Sequence, residues 1–534
     1  MPRKILFFLI LILTAFLRLY QLNHLPPALF SDEVDAGYQA AIFNQNHTDY
    51  FGNKFPLSFH SFSDFRTGAY IYSIAFFEKI TNNWILSVRL PSSLFSILSV
   101  VVLFLITRSL SASFLLSISP WSIHYGRTGF EVSGMILVLM LGIYFFKRYF
   151  SSLKIYHLLL SSFFFCLSPY FYSTAKFFLI IVFLLLLIVW FKDIKKISLQ
   201  HLFIIGIFTL TLLTPLAIDI FKGNGGFRFS YISIFTQPHR EQITDTLRYE
   251  DIYSDNINKI GVPTPFFSFI LHNKYQLIWE KFVDNYFSSF SANFLFLSGD
   301  TNLRQGFGGF GMLYFLDFFF VPIGIYFYLR KKTKLGTFFF WLLLLSPIPF
   351  ALTRDSLSPH STRLILMLPS LIYFTSLVLK KLPLFIPIYI VFLFTFWHYY
   401  QFHYPQVSAR SWHAGMKEAV LAATNLHPST IIFSDKSEPF LPFFFFYTQY
   451  LPSDAPVNHL SRIDNQSFSG QALDSRYYFG IINFNNLTSL PKSSLLVVPK
   501  SEFINIDQSK FSLIDFIPKH YIEQEEFYLL KPNE

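Results

Sequence analysis

Cysteine is nearly missing from this sequence: Cys166 is the single one among 534 residues, and it lies inside an apolar run. No intramolecular disulfide can form, and cysteine usage leaves the redox compartment open. Charge is scarce as well, with 14% of residues Asp, Glu, Lys or Arg, against roughly a quarter in an ordinary soluble protein. Internal repeats and low-complexity linkers are lacking. The net charge of +10 does not form a basic patch for nucleic acid, because the lysines and arginines come in small clusters between apolar runs, as topology signals do. No small-residue cleavage site follows the first apolar segment, which Arg18 interrupts. Met1-Pro2-Arg3-Lys4 and the run behind it therefore read as a retained first span rather than a signal peptide.

What the chain has in excess is apolar and aromatic surface, 52% and 20% of residues, with a mean hydropathy of +0.42. This is the composition of a polytopic α-helical membrane protein. A window of about twenty apolar residues per span places candidate helices near 4–22, 85–106, 108–124, 131–148, 155–172, 177–191, 200–218, 311–329, 336–352, 362–379 and 383–400, about 11 transmembrane helices in all. Arg3-Lys4, Arg108, Lys147-Arg148 with Lys154, Lys192 with Lys195-Lys196, Arg330-Lys331-Lys332 with Lys334, and Lys380-Lys381 then fall on one side. The positive-inside rule makes that side, and the N-terminus, cytoplasmic. An odd number of spans puts the C-terminus outside.

The long segments all face outward: loops 23–84 and 219–310, and a polar tail. The reading is thus a membrane domain over 1–400 and a C-terminal extracytoplasmic domain over 401–534. In the first loop, Val34, Tyr38, Ala41 and Ile42 recur at helical spacing, as do Tyr70, Ile71, Ile74, Phe77 and Glu78. Short amphipathic helices lying in the interface are expected there. In the tail, a helix around Ser411–Asn425 precedes strand-like runs at Thr430–Ser434, Tyr477–Ile482, Ser494–Pro499 and Phe527–Lys531, the makings of a small α/β domain.

Arg18, Asp32, Glu33, Arg66, Arg89, Arg127, Glu131, Lys176 and Arg363 all emerge at the outer ends of spans or in outer loops. Ionisable groups near hydrocarbon are costly and mark functional sites by default. Carboxylates facing arginines and a lysine at a bilayer surface suit an anionic, lipid-linked substrate attacked by a neutral nucleophile. Guanidinium groups match phosphate oxygens, and a carboxylate takes the proton of an attacking hydroxyl or amine. Plainer alternatives stand beside this. Ser31 can cap a helix whose first turn carries Asp32 and Glu33, and Arg127 with Glu131, four apart, can form a local ion pair.

The order Pro26-Pro27, Ser31-Asp32-Glu33, Gly37-Tyr38, then Tyr50-Phe51-Gly52-Asn53-Lys54-Phe55-Pro56, then Ser119-Pro120-Trp121-Ser122-Ile123-His124-Tyr125-Gly126-Arg127-Thr128-Gly129-Phe130-Glu131, resembles the GT-C membrane glycosyltransferases. Within them it is most similar to glycosyltransferase family 39, with its protein O-mannosyltransferases and lipid A aminoarabinose transferases. The resemblance covers about residues 1–400. It implies inverting transfer of a sugar from a polyprenyl-phosphate donor to an acceptor (protein, lipid or cell-envelope glycan) on the outer face. Carried over residue by residue, Asp32 resembles the catalytic base and Glu33 its supporting acid. Arg127 and Glu131 resemble the pair of the second catalytic loop, and Arg66, Lys176 and Arg363 the basic positions at the donor phosphate. Lys176 and Arg363 also fit the plainer role of interfacial anchors.

No cofactor is required by this reading, though a divalent metal would substitute for some of the basic groups. His24, His47, His60 and His124 are scattered rather than spaced as ligands and read as structural. The tail departs from the repeated outer domains of the protein mannosyltransferases. Two segments, Gly299–Gly306 and Pro405–His413, either line the way to the acceptor or pack the outer loops onto the membrane domain. The competing class is a transporter or flippase of polyprenyl-linked saccharides, but that would carry ionisable groups through the membrane rather than at one face. Sugar, acceptor and oligomeric state are not legible.

Overall fold

The computed structural model describes residues 2–62, 64–222, 232–236, 240–258, 264–354, 358–486 and 494–533; parts of the outer stretch expected over 219–310 lie outside them. The chain opens with helix α1 (Arg3–Leu19), α2 (Ser31–Asn46), a two-stranded hairpin β1–β2 (Ser58–His60, Phe65–Thr67), α3 (Gly68–Thr81) and α4 (Trp84–Thr107). There follow α5 (Leu110–Ile118), α6 (Pro120–Tyr125), α7 (Val132–Ser152) and a succession of apolar helices. Six helices among the described residues are long and apolar enough to cross a membrane: Trp84–Thr107, Val132–Ser152, Leu199–Phe221, Lys334–Ala351, Ser361–Lys381 and Pro383–Phe402. Ile155–Phe171 and Ala175–Val189 are shorter apolar helices, and the span expected at 311–329 is helical over Asp317–Arg330.

The span expected at 108–124 is broken in two. Pro120 has no N–H to continue the ladder, and the carbonyls it frees need partners away from water. Arg18 supplies them, donating to Ser117 O at 2.7 Å and Leu116 O at 3.3 Å, while the Tyr314 hydroxyl donates to Ile118 O at 2.7 Å. The rest of the buried Arg18 guanidinium is held by Ser96 and Ser122, each at 2.8 Å. Arg18 is thus a brace joining α1, α4 and the α5–α6 break.

The first outer loop also departs from expectation. Instead of lying in the interface, α2 is buried from Glu33 to Ile42, packed against α3, α4 and the C-terminal helix Leu441–Thr448. The loop after it is organised by the buried Asp49, whose carboxylate accepts from the backbone N–H of Phe51, Asn53 and His60 at 2.9, 2.9 and 3.1 Å.

The C-terminal sheet has seven strands: β3 (Ile431–Ser434), β4 (Leu460–Asp464), β5 (Phe468–Leu473), β6 (Tyr477–Ile482), β7 (Leu495–Pro499), β8 (Phe511–Ile517) and β9 (Phe527–Pro532). Their order is β4-β5-β6-β3-β7-β9-β8. The fully buried β3 pairs in parallel with β6 and β7, and the outer pairs are antiparallel. This sheet does not hang free. Tyr38 of α2 stacks on Phe445 at 4.9 Å and donates to Tyr450 O at 2.5 Å, and a Cβ on Gly37 would stand 2.5 Å from the Phe446 ring.

Close packing between the apolar helices depends on small residues. A Cβ on Gly324, in Asp317–Arg330, would overlap the carbonyl oxygen of Phe374 in the helix Leu368–Lys381. Gly324→Val is expected to lower stability by about 1–3 kcal/mol through overpacking. Gly206→Val, with nothing within 4 Å of its Cβ, should change it little. Thermal midpoints of the two purified variants in detergent give the comparison.

Candidate active site

A pocket at the N-terminal end of α2 is lined by Phe30, Asp32, Arg66, Thr67, Gly129 and Glu131 among others. Asp32 and Asp35 stand three apart on α2 and so share a face. Strand β2 brings Arg66 to both: its Nη2 donates to Asp32 Oδ1 at 2.7 Å and its Nε to Asp35. Asp35 is buried and is further held by the Ser61 hydroxyl at 3.0 Å. Asp32, by contrast, keeps 52% of its side chain exposed. Burial disfavours the charged form of Arg66, but the Asp32 and Asp35 carboxylates outweigh it and hold the guanidinium well above its ordinary range. One exposed carboxylate, one fixed cation and a third acid, Glu131, therefore meet in a single pocket.

Glu33 points the other way. It is fully buried, in an ion pair with Arg89 at 3.2 Å. Its Oε1 accepts the Gly129 N–H at 2.6 Å and its Oε2 that of Phe30 at 3.4 Å. Arg89 in turn donates to the carbonyls of Leu22, Pro26 and Ala28 at 3.2, 3.0 and 2.5 Å. The pair thus joins three chain segments directly behind Asp32. The expected capping by Ser31 is replaced: Phe30 is the N-cap, and Glu33 returns to its N–H.

Arg127 and Glu131 are not brought together. The expected spacing assumed a helix, but α7 begins only at Val132. Glu131 lines the pocket, whereas Arg127 is fully buried and clamps the end of α1, donating to the carbonyls of Leu17, Tyr20 and Leu25 at 3.0, 2.8 and 3.2 Å. Its guanidinium lies 5.5 Å from the Trp397 ring and 5.7 Å from that of Tyr400.

Lys176 lies three residues beyond Ser173, which lines the pocket, and within electrostatic reach of Asp219. Asp219 also accepts from the Ser58 hydroxyl at 2.7 Å. Arg363 stands near Asp300, outside the pocket wall. Asp300 accepts the Ser361 N–H at 2.8 Å and its hydroxyl at 2.9 Å, and burial raises its carboxyl while those bonds offset the rise. Of the histidines, His60 stacks between Phe51 and Phe65 at 3.8 and 4.4 Å, and His47 on Phe55 at 5.4 Å. His124 is buried on Tyr400 and Arg304 O at 3.0 and 2.8 Å. Among the described residues no three His, Cys, Asp or Glu side chains converge as a metal-ligand set.

The comparisons with known proteins follow from the whole fold. No family model matches the sequence, and no curated protein matches it. Solved structures do. The chain is similar to an oligosaccharyltransferase and to ArnT. For the Archaeoglobus fulgidus oligosaccharyltransferase in the apo form the TM-score is 0.46 at 12% identity, over 85% of this chain and 64% of that one. The same values hold for that enzyme tethered with an acceptor peptide containing the NVT sequon. ArnT from Cupriavidus metallidurans, also apo, gives a TM-score of 0.41 at 9% identity, over 99% of this chain and 97% of that one. This chain thus spans less than two thirds of the archaeal enzyme's length.

Asp35, Arg89, Asp219 and Asp300 escaped selection as site residues, or were given no role, when read singly. The signal for Asp35 was available in its spacing from Asp32. Nothing in the sequence pairs Asp219 with Ser58 or Asp300 with Ser361, since those contacts are long-range.

Proposed function

We propose that this chain is an inverting membrane glycosyltransferase that moves a sugar from a polyprenyl-phosphate donor to an acceptor at the outer face. The observation that carries the reading is the exposed Asp32 carboxylate beside the fixed Arg66 cation in one pocket. Breaking a sugar–phosphate bond builds positive charge on the sugar ring and negative charge on the departing phosphate. A cation already in place at the phosphate stabilises that separation with no reorganisation cost. Arg66, with its planar donor fork, is suited to the phosphate. Asp32 takes the proton of the attacking hydroxyl late in the reaction, once the sugar carbon is cationic and the hydroxyl has become acidic.

Glu33 is not placed to touch substrate; it holds Gly129, and with it the loop carrying Glu131, against the Asp32 loop. Arg127 acts one step further back by fixing the end of α1. Lys176 stands in reserve for the lipid phosphate from the far side of Ser173, and Arg363 for the loop around Asp300. The site opens to the extracytoplasmic side, with the N-terminus in the cytoplasm and the C-terminal sheet outside, as the basic clusters require.

The deciding assay is release of free polyprenyl phosphate from a radiolabelled polyprenyl-phosphate sugar by purified protein, in detergent with a mixed cell-envelope acceptor pool. Turnover supports the reading; binding of the lipid without turnover sinks it. Arg66→Ala is expected to weaken donor binding roughly tenfold to a hundredfold, the worth of a hydrogen bond to a charged group. Arg66→Lys should recover part of the loss. Filter binding of labelled donor measures both.

A further inference from the structure

The face of Asp32 turned away from Arg66 is built by parts of the chain far off in sequence. The loop 299–306 is tied down by His124, which hydrogen-bonds Arg304 O, and by the Tyr404 hydroxyl on Leu303 O at 2.6 Å. It presents the Arg304 guanidinium 5.3 Å from the Phe30 ring. The turn after Pro405 is anchored by the fully buried Trp412, whose indole N–H donates to Tyr404 at 2.7 Å. The next residue, His413, adopts φ +55° and turns the chain there. Its ring stays largely buried, with Nδ1 lacking a hydrogen-bond partner and Glu438 Oε1 3.9 Å away. Glu438, on the loop after β3, also reaches the Ser31 hydroxyl and feels Arg304 and Asp32.

We propose that Arg304, His413 and Glu438 form the acceptor subsite of this enzyme, and that the acceptor is a neutral saccharide. The proposal rests on the glycosyl-transfer reading above. Charge selects the class. On this face two carboxylates, Asp32 and Glu438, stand against one guanidinium, so a phosphate or carboxylate on the acceptor meets two like charges. An amine is drawn in, but carboxylates stabilise its ammonium form, which has no lone pair with which to attack. A hydroxyl suffers neither penalty. Side chains of both donor and acceptor kinds around one base match several adjacent hydroxyls, which a sugar ring offers and a lone Ser or Thr does not. His413 is neutral here, since burial lowers it to about 4, and so offers one donor and one acceptor nitrogen. His413 and Glu438 bind the acceptor ring beside the hydroxyl that Asp32 deprotonates.

The test uses full-length protein in detergent, labelled donor, and a cell-envelope extract split by ion exchange into neutral, anionic and cationic fractions. Label is expected in a neutral, protease-resistant product. For Glu438→Gln and His413→Gln the KM for the neutral fraction should rise about tenfold, the order expected when a polar group loses its partner, with kcat, donor affinity and thermal midpoint nearly unchanged. Glu438→Asp should recover part of the loss. Label in the anionic, cationic or protease-sensitive product overturns the acceptor class. Equal losses of donor affinity and transfer in Glu438→Gln overturn the subsite. Absence of polyprenyl phosphate release by the wild type overturns the glycosyl-transfer reading itself, and this proposal with it.

Discussion

Asp32→Asn is expected to abolish sugar transfer, with turnover down by about 10²–10⁴-fold, the range contributed by a positioned general base, while the protein still folds and binds its donor lipid. Asp32 is ion-paired with Arg66, and half of its side chain faces solvent. An amide there still accepts the Arg66 hydrogen bond, and Asp35 continues to hold the guanidinium from its other side. What the amide cannot do is take a proton. Donor affinity and thermal midpoint should therefore stay near those of the wild type while polyprenyl phosphate release collapses. If donor affinity falls in parallel with turnover, Asp32 is organising Arg66 rather than acting as the base.

The second large effect is on folding. Glu33→Gln leaves Arg89 as a buried cation with only carbonyl partners, and losing one member of a buried ion pair costs roughly 3–5 kcal/mol. Arg89→Met is expected to cost as much, since it strands Glu33 and frees the carbonyls of Leu22, Pro26 and Ala28. The double variant Glu33→Leu with Arg89→Met should be closer to wild type in stability than either single change, because no unpaired charge remains. Its activity should nonetheless stay low, since the Gly129 N–H loses the carboxylate that sets the second loop against the first. Thermal midpoints of the three variants, read beside polyprenyl phosphate release, separate the two consequences. Strict additivity of the single costs would show that the pair is not coupled.

The parts of this molecule legible in the sequence were those with local causes. Apolar runs marked the long helices, and the buried strands β3, β6, β7 and β9 showed as β-branched or aromatic runs close to their observed bounds. The remaining strands β4, β5 and β8 were missed: β4 and β8 lie at the sheet edges, and Ser512 to Phe516 of β8 are all exposed, so no buried face imprinted an alternation on them. The site divides in the same way. Asp32 and Arg66 share one loop and could be singled out together. The one-face spacing of Arg127 and Glu131 does not apply, because residues 126–131 lie between α6 and α7 rather than in a helix. The resemblance separates Asp32 as base from Glu33 as supporting acid, but that Glu33 is the buried one is decided by the long-range approach of Arg89 from α4. Glu438 carried no local signal, whereas His413 closes the Pro405–His413 segment that the sequence marks as a candidate lining of the way to the acceptor.

The packing of α2 against the helix Leu441–Thr448 has a temporal meaning. Gly37 and Tyr38, on the same helix as Asp32, are covered by Phe446 and Phe445, which come far later in the chain. A nascent chain emerging from the ribosome makes its carboxylates first and their cover last. The buried face of α2 is therefore covered only once the segment carrying Phe445 and Phe446 has been made, and until then the helix that bears Asp32 keeps apolar surface open to other contacts.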